Sequence, residues 1–213
     1  MGLTVDTFVL GPAHENCHFV RATPTGTEAV VVDPGDDAAG LQRELDRAGA
    51  TCSGILVTHC HWDHLGGVAD LAEASGAPVY MAREEAPVLQ AADDFYGPLG
   101  IEIRPYSPDR LLTGDEHFEL AGIEFETLTV PGHSPAHLAY LAEGCLFSGD
   151  VLFQGSVGRV DLPGGDWATL VESIRRLMDT LPPDTVVYPG HGPRTTLGVE
   201  LARNPFLAEL RAS

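Results

Sequence analysis

One stretch constrains this chain more than any other: Thr58-His59-Cys60-His61-Trp62-Asp63-His64. Four side chains able to bind a metal fall within six positions, directly after the apolar run Gly54–Val57. A short apolar run of this kind reads as a buried strand, so the four groups leave a strand end on an irregular turn. His59 and His61 are one residue apart, and both imidazoles can converge on one ion. Asp63 and His64 then face the neighbouring position. Zinc accepts imidazole nitrogen and carboxylate oxygen at about 2.0–2.2 Å. Two ions about 3.5–4 Å apart would make a two-metal centre. The plain alternative is a polar turn of solvated histidines; three histidines and an aspartate in so short a span weigh against it.

Three later positions can complete the set. His133 stands in Pro131-Gly132-His133-Ser134, after a strand ending at Val130. Asp150 stands in Ser148-Gly149-Asp150, and His191 in Pro189-Gly190-His191-Gly192, again after short apolar runs. Each has a glycine beside it, which permits the turns that aim a side chain over a sheet edge. Loops at strand ends are where sites are usually built. Each of the three is weak alone; with the early cluster they supply the missing ligands in order.

The remaining pattern is one of strands with helices at wide spacing. Thr4–Leu10 and His18–Thr23 flank Gly11-Pro12 and read as an antiparallel pair. Ala29–Val32 is a strand ending in the turn signal Asp33-Pro34-Gly35. Helices are predicted over Asp36–Ala48, Gly67–Ser75, Arg83–Ala91, Asp166–Met178 and Leu197–Leu210, the last interrupted near Pro205. Further strands are predicted over Val79–Met81, His117–Leu120, Ile123–Val130, His137–Leu141, Cys145–Ser148 and Thr185–Tyr188. Residues 93–109 read as a long loop of the sort that can carry a lid. Strands in runs with interleaved helices suggest two facing sheets with helices outside, a layered α/β or α+β body. Residues 1–213 are expected to form a single domain of that kind.

Charge narrows the partners. Acidic residues number 31 and basic ones 12, every one of them Arg, for a formal charge of −19. No basic cluster offers a footprint for nucleic acid, and anionic membranes are disfavoured. An anionic substrate would need local help from a metal or a placed Arg. No apolar run approaches the ~18 residues of a membrane span. Met1–Asp6 has no basic start, and Asp6 breaks the myristoylation pattern that Gly2 would begin. Cys17, Cys52, Cys60 and Cys145 are scattered and read as reduced thiols. A cytoplasmic location is expected.

His59-x-His61-x-Asp63-His64, followed by His133, Asp150 and His191, resembles the metallo-β-lactamase superfamily across nearly the whole chain. The resemblance implies a four-layer αβ/βα sandwich, two mixed sheets flanked by helices, with a metal pair at one edge. It implies that His59, His61 and His133 hold one metal, that Asp63, His64 and His191 hold the second, and that Asp150 bridges them. Zinc is the expected metal, with iron or manganese as alternatives. The segments Thr129–His137, Phe147–Arg159 and Pro189–Thr196 are similar to the glyoxalase II-like hydrolases, in particular their short bacterial branch. The stretch 192–213 is too short for the helical C-terminal domain of glyoxalase II proper.

The implied reaction is hydrolysis of a small-molecule thioester of the S-hydroxyacylglutathione type. A metal lowers the pKa of its water from 15.7 towards ~7, which makes hydroxide available at neutral pH. Asp63 and Asp150 are the carboxylates expected at the catalytic step, Asp63 orienting the nucleophile. Arg159 is the candidate for binding a substrate carboxylate, against the alternative of a salt bridge to Asp161 or Asp166. Persulfide dioxygenases resemble the chain too, and in them one iron would sit on His59, His133 and Asp150; two histidines and a carboxylate suit non-haem iron. Lactonase or β-lactamase chemistry is a lesser alternative on the same metals. Flavin-linked di-iron proteins carry Glu where this chain has His61, and a ribonuclease would want a basic surface. A non-enzymatic metal binder would hold metal without turnover.

The other candidates have plainer readings. His137 is expected to support the site rather than ligate. His14, His18 and His117 are expected at the surface or at edges, and Cys60 as filler in the turn. Trp62 either walls the pocket or packs beneath the turn. Tyr106 and Phe95 are expected to pack in their loop rather than line a substrate mouth.

Overall fold

The chain, described over residues 2–210 in a computed structural model, is layered by alternation along its strands. In β3 (Glu28–Val32), Val30 and Val32 enter one apolar cluster while Ala29 and Val31 enter another. Successive strand residues face opposite sides of a sheet. A run that is apolar at every position therefore needs cover on both faces. In β10 (Cys145–Gly149), Phe147 joins the same cluster as Val30, and Leu146 enters a third.

The first sheet runs β1 (Thr4–Leu10), β2 (Glu15–Arg21), β3, β4 (Thr51–Leu56), β5 (Val79–Ala82), β6 (Arg110–Leu112). Its first three strands are antiparallel and the rest pair in parallel. The second sheet is ordered β14 (Thr195–Thr196), β13 (Val186–Pro189), β10, β9 (Leu138–Ala142), β8 (Ile123–Thr129), β7 (His117–Leu120). Between the sheets lie Val20, Val30, Val32 and Leu56 against Phe125, Tyr140, Phe147 and Tyr188. Helices α1 (Ala38–Ala48) and α3 (Val68–Ser75) cover the outer face of the first sheet through Leu41, Leu45, Val68 and Leu71. Helices α6 (Trp167–Thr180) and α7 (Leu197–Arg203) cover the second through Leu170, Ile174, Leu177 and Leu197. The four-layer αβ/βα sandwich is thus present. No helix among the described residues is long and apolar enough to cross a membrane.

This topology gathers strand ends. β8 and β10 are both antiparallel to β9, and β13 is parallel to β10. Their C-terminal ends, which precede His133, Asp150 and His191, therefore leave the second sheet at one edge. β3 and β4 are parallel, so Asp33 and His59 leave the first sheet together. The start of β2 joins the two sheets there: Glu15 bridges to His191, and the Asn16 N–H donates to the Gly190 carbonyl at 2.7 Å.

Several predicted bounds shift for local reasons. Helix α1 starts two residues later than predicted, because Asp37 is its N-cap and accepts from the Gly40 N–H. Residues 93–109 are not all loop: α5 (Ala92–Tyr96) and a 3₁₀ turn, Gly97–Leu99, open the stretch. The predicted terminal helix stops at Arg203, because Asn204 precedes Pro205 and is extended (φ −67°, ψ 120°). Helices α2 (Trp62–Leu65) and α4 (Ala86–Gln90), and strands β6, β11 (Leu152–Phe153), β12 (Ser156–Val157) and β14, are two to five residues long. Of these only α4 falls within a predicted element, because elements this short hold no periodic pattern.

Candidate metal centre

Local chemistry fixes two of the first three imidazoles. Thr58 gives its hydroxyl proton to Asp33 Oδ2 at 2.6 Å, so its oxygen can only accept from His59 Nδ1, 3.0 Å away. That leaves the lone pair of His59 on Nε2. His133 Nδ1 donates to the Arg159 carbonyl at 2.7 Å, which likewise leaves its lone pair on Nε2. His59 Nε2, His61 Nδ1 and His133 Nε2 form a triangle with sides of 3.1, 2.8 and 3.2 Å. Bonds of about 2.0–2.1 Å around a tetrahedral zinc would set such nitrogens roughly 3.3 Å apart. Burial is the main cause that holds His59 and His133 below the ordinary imidazole range and takes His61 down to about 4. The lone pairs of His59 and His133 face one point 3.2 Å apart and repel each other unless a proton or a cation lies between them.

The second set is richer in carboxylates. His64 is fully buried and donates from Nδ1 to Asp33 Oδ2 at 2.9 Å. Its Nε2 lies 3.4 Å from Asp150 Oδ1, yet both atoms are buried and without a hydrogen-bond partner among the described residues. A buried polar atom left so is costly, and a metal would satisfy both. His191 Nε2 lies 3.2 Å from Asp63 Oδ2 and 3.5 Å from Asp150 Oδ2. Asp150 Oδ2 is also 3.5 Å from His133 Nε2, so this carboxylate stands between the two sets.

Charges in this half are coupled. Burial opposes the charged form of His64, but Asp150 and Asp33 outweigh it and hold the imidazole well above its ordinary value. His191 is raised to about 9: burial opposes, and hydrogen bonds to Asp150 and Asp63 prevail. Burial opposes ionisation of Asp150 and Asp63 too, and His64 and His191 keep both below the usual carboxylate range. These protons sit where a divalent cation would replace them. The donor set therefore fits metal: all seven predicted ligands meet at one sheet edge, in overlapping groups whose ligand atoms lie within 4.8 Å of one another.

Glycine makes room. A Cβ at Gly190 would collide with Asp150 Oδ1 and come within 2.7 Å of His64 Cε1. Gly149 has φ +48°, and a Cβ there would run into Thr58 Oγ1.

Several supporting residues escape sequence reading. Asp33, read as part of a turn, instead accepts from Thr58 N, Thr58 Oγ1 and His64 Nδ1, and so orients two ligands. Buried Glu85 joins the two ligand loops: it accepts from Cys60 N at 2.7 Å, Ser134 Oγ at 2.6 Å and Ala136 N at 2.9 Å. Asn16 donates to the carbonyls of Pro189 and Gly192 at 2.9 and 2.7 Å and frames His191. An aspartate closing a strand beside Pro-Gly was the one signal available for Asp33.

The lesser expectations sort as follows. His137 supports the site: it stacks on His59 at 4.6 Å, and its Nε2 accepts from the Asp150 N–H at 3.1 Å. His18 is not an edge residue. Both faces of β2 are covered, and His18 is buried between Thr7 Oγ1 at 3.0 Å and the Pro189 carbonyl at 3.2 Å. His14 and His117 are exposed. Trp62, Cys60 and Tyr106 pack on the helix-side core, while Phe95 is exposed. The Arg159 guanidinium forms two 2.6 Å bonds to Asp161 at the surface.

A four-layer sandwich with histidines and carboxylates clustered at one edge of its two sheets defines a metal-binding enzyme fold. The chain belongs to the metallo-β-lactamase superfamily, whose family model matches residues 10–191. It is 36% identical over 187 residues to the hydroxyacylglutathione hydrolase GloC of Haemophilus influenzae, covering 84% of this chain and 87% of that one. Among solved structures it is similar to the BLEG-1 B3 metallo-β-lactamase (TM-score 0.90, 38% identity, 96% of this chain and 100% of that one). It is also similar to TTHA1623 in a di-iron-bound form (TM-score 0.82, 42% identity, 95% and 100%).

Proposed function

We propose that this protein is a two-metal hydrolase that cleaves a small-molecule thioester of the S-hydroxyacylglutathione type. The observation that carries the reading is the position of Asp150 between two ligand sets, with its Oδ1 and His64 Nε2 buried 3.4 Å apart and without a hydrogen-bond partner among the described residues. His59, His61 and His133 hold one ion, and Asp63, His64 and His191 the other. Zinc is the first choice of metal, and the di-iron form of TTHA1623 supports iron as an alternative. When bound, the ions lower the pKa of water towards neutrality and polarise the thioester carbonyl.

The chain's own groups do the rest. Asp63 is half-buried beside His191 and would orient the attacking water through its carboxylate. Asp33 and Glu85 hold the ligand turns from behind. A thiolate leaves readily, so the site needs no strong general acid. Arg159 is exposed one carbonyl away from His133, and its guanidinium would take a substrate carboxylate in exchange for Asp161. The likeness to GloC of Haemophilus influenzae supports the glutathione thioester as substrate.

The test is a turnover panel on the metal-loaded chain with S-lactoylglutathione, a β-lactam and glutathione persulfide. Release of free thiol from S-lactoylglutathione above the other two is the expected result. Oxygen uptake on the persulfide, with no thioester cleavage, would replace this reading with a mononuclear iron dioxygenase on His59, His133 and Asp150. Preference for the β-lactam, the substrate class for which BLEG-1 is named, would replace the substrate alone.

A further inference from the structure

The segment from Asp150 to Arg159 serves the metal centre at both ends. Asp150 supplies the carboxylate between the ligand sets, and the Arg159 carbonyl orients His133. Between them lies the hairpin β11–β12, two residues on each strand. A hairpin that short does not hold itself. Phe153, on this hairpin, also sets its ring edge-on to His191, centroids 5.9 Å apart at 88°.

What holds the hairpin comes from α7 and the residue after it. Glu200 is 2% exposed. Its Oε2 accepts from the Gly155 N–H at 2.8 Å and from Asn204 Nδ2 at 2.9 Å, and its Oε1 accepts from Thr195 Oγ1. Asn204 is fully buried, and its Nδ2 also donates to the Ser156 carbonyl at 2.9 Å and lies 3.4 Å from that of Phe153. Leu207 packs in the same cluster as Val151, Leu152 and Val157. An apolar side chain could fill this volume without the cost of burying a carboxylate. A carboxylate and an amide here instead fix the backbone of one loop at Gly155 and Ser156 and crowd it at Phe153.

We infer that Glu200 and Asn204 are positioning residues for the metal centre. By holding Gly155 and Ser156 and crowding Phe153 they set the path of the 150–159 loop, and with it the bridging carboxylate and the tilt of His133. The inference rests on the seven side chains being metal ligands, as proposed above.

The test uses the full chain, stripped of metal and titrated with zinc against a chromophoric chelator, and a cobalt-loaded sample read by its d–d absorption. Glu200→Ala and Asn204→Ala are expected to lower zinc affinity by up to about 10-fold, the low end of what loss of a group bonded directly to a ligand costs, and to shift the cobalt bands. Glu200→Gln is expected to keep both at wild-type values, because its amide oxygen serves Gly155 and Asn204 while its NH₂ donates to Thr195. Val199→Ala, on the exposed side of the same helix, should change neither. If alanine prevents folding, Glu200→Asp, one methylene too short to reach Gly155, should show the same loss. Variants that melt earlier but keep wild-type zinc affinity and cobalt spectrum would overturn the inference and make the pair a structural brace. A wild-type chain that takes up no metal would instead overturn the metal reading, and this inference with it.

Discussion

The two ligand sets solve the same problem on opposite electrostatic terms. His59, His61 and His133 are uncharged, lie 2.8–3.2 Å from one another, and two of them are locked from behind by Thr58 and the Arg159 carbonyl. The set around His64 and His191 is charged, has contacts of 3.2–3.5 Å, and opens to solvent at His191 and Asp63, whose side chains are 27% and 15% exposed. Both sets join ligands from the two sheets, but the first is oriented by Thr58 and the Arg159 carbonyl and needs no proton displaced. The second holds protons between its imidazoles and carboxylates and leans on the shared Asp150. On the proposed function, substrate would approach over the charged, open half while the neutral half would anchor the metal.

That contrast sets the order of effects. The largest is expected from His59→Ala, at the closed corner of the neutral set. It should abolish thioester turnover and cut metal content to one ion per chain or fewer, measured by elemental analysis. A variant that keeps two ions and full turnover would erase the distinction between anchor and opening.

Asp33→Ala comes next. It removes the group that orients His64 directly and His59 through Thr58. Metal affinity should fall by about 10–100-fold, and competition with a chelator should register it in both sets. A loss confined to one set would mean that the shared carboxylate does not couple them.

His18 tests the frame behind the open half, since it bonds the Pro189 carbonyl on the His191 loop. Burial takes His18 down to about 4 in the folded chain, from 6.5. The unfolded chain then binds the extra proton first. Stability is complete above pH 6.5 and falls as pH drops through the window from 6.5 to 4, by about 3 kcal/mol at 1.36 kcal/mol per unit. Denaturant melts of His18→Gln against wild type should show that decline removed. Parallel pH profiles would contradict it.

The smallest effect is expected at Arg159, an exposed group already paired with Asp161. Exposed charge pairs are largely screened by solvent, so Arg159→Ala should raise KM for anionic thioesters by no more than a few-fold and leave kcat unchanged. An unchanged KM would remove Arg159 from substrate binding.

Ligands were legible in the sequence because four of them crowd into six positions after an apolar run, and the other three each follow an apolar run with a glycine beside them. The two-sheet body was legible because strands come in runs with helices interleaved at wide spacing. The supports were not legible. Asp33-Pro34-Gly35 carries the same letters whether it only turns the chain or also holds His64. Glu85 reaches across 49 residues to Ser134, and nothing local marks it. His18 was expected at the surface or an edge, because burial of a polar side chain depends on what the rest of the fold places over it. Strands of two residues, such as β11 and β14, exist only through their partners.

Metal stoichiometry bears most directly on all of this. The protein, purified without chelator and analysed for all first-row metals, should carry two divalent ions per chain and lose one of them, from the open half, before the other on graded chelation. A single iron per chain, with His61, His64 and His191 replaceable at no cost to binding, would contradict the two-set architecture.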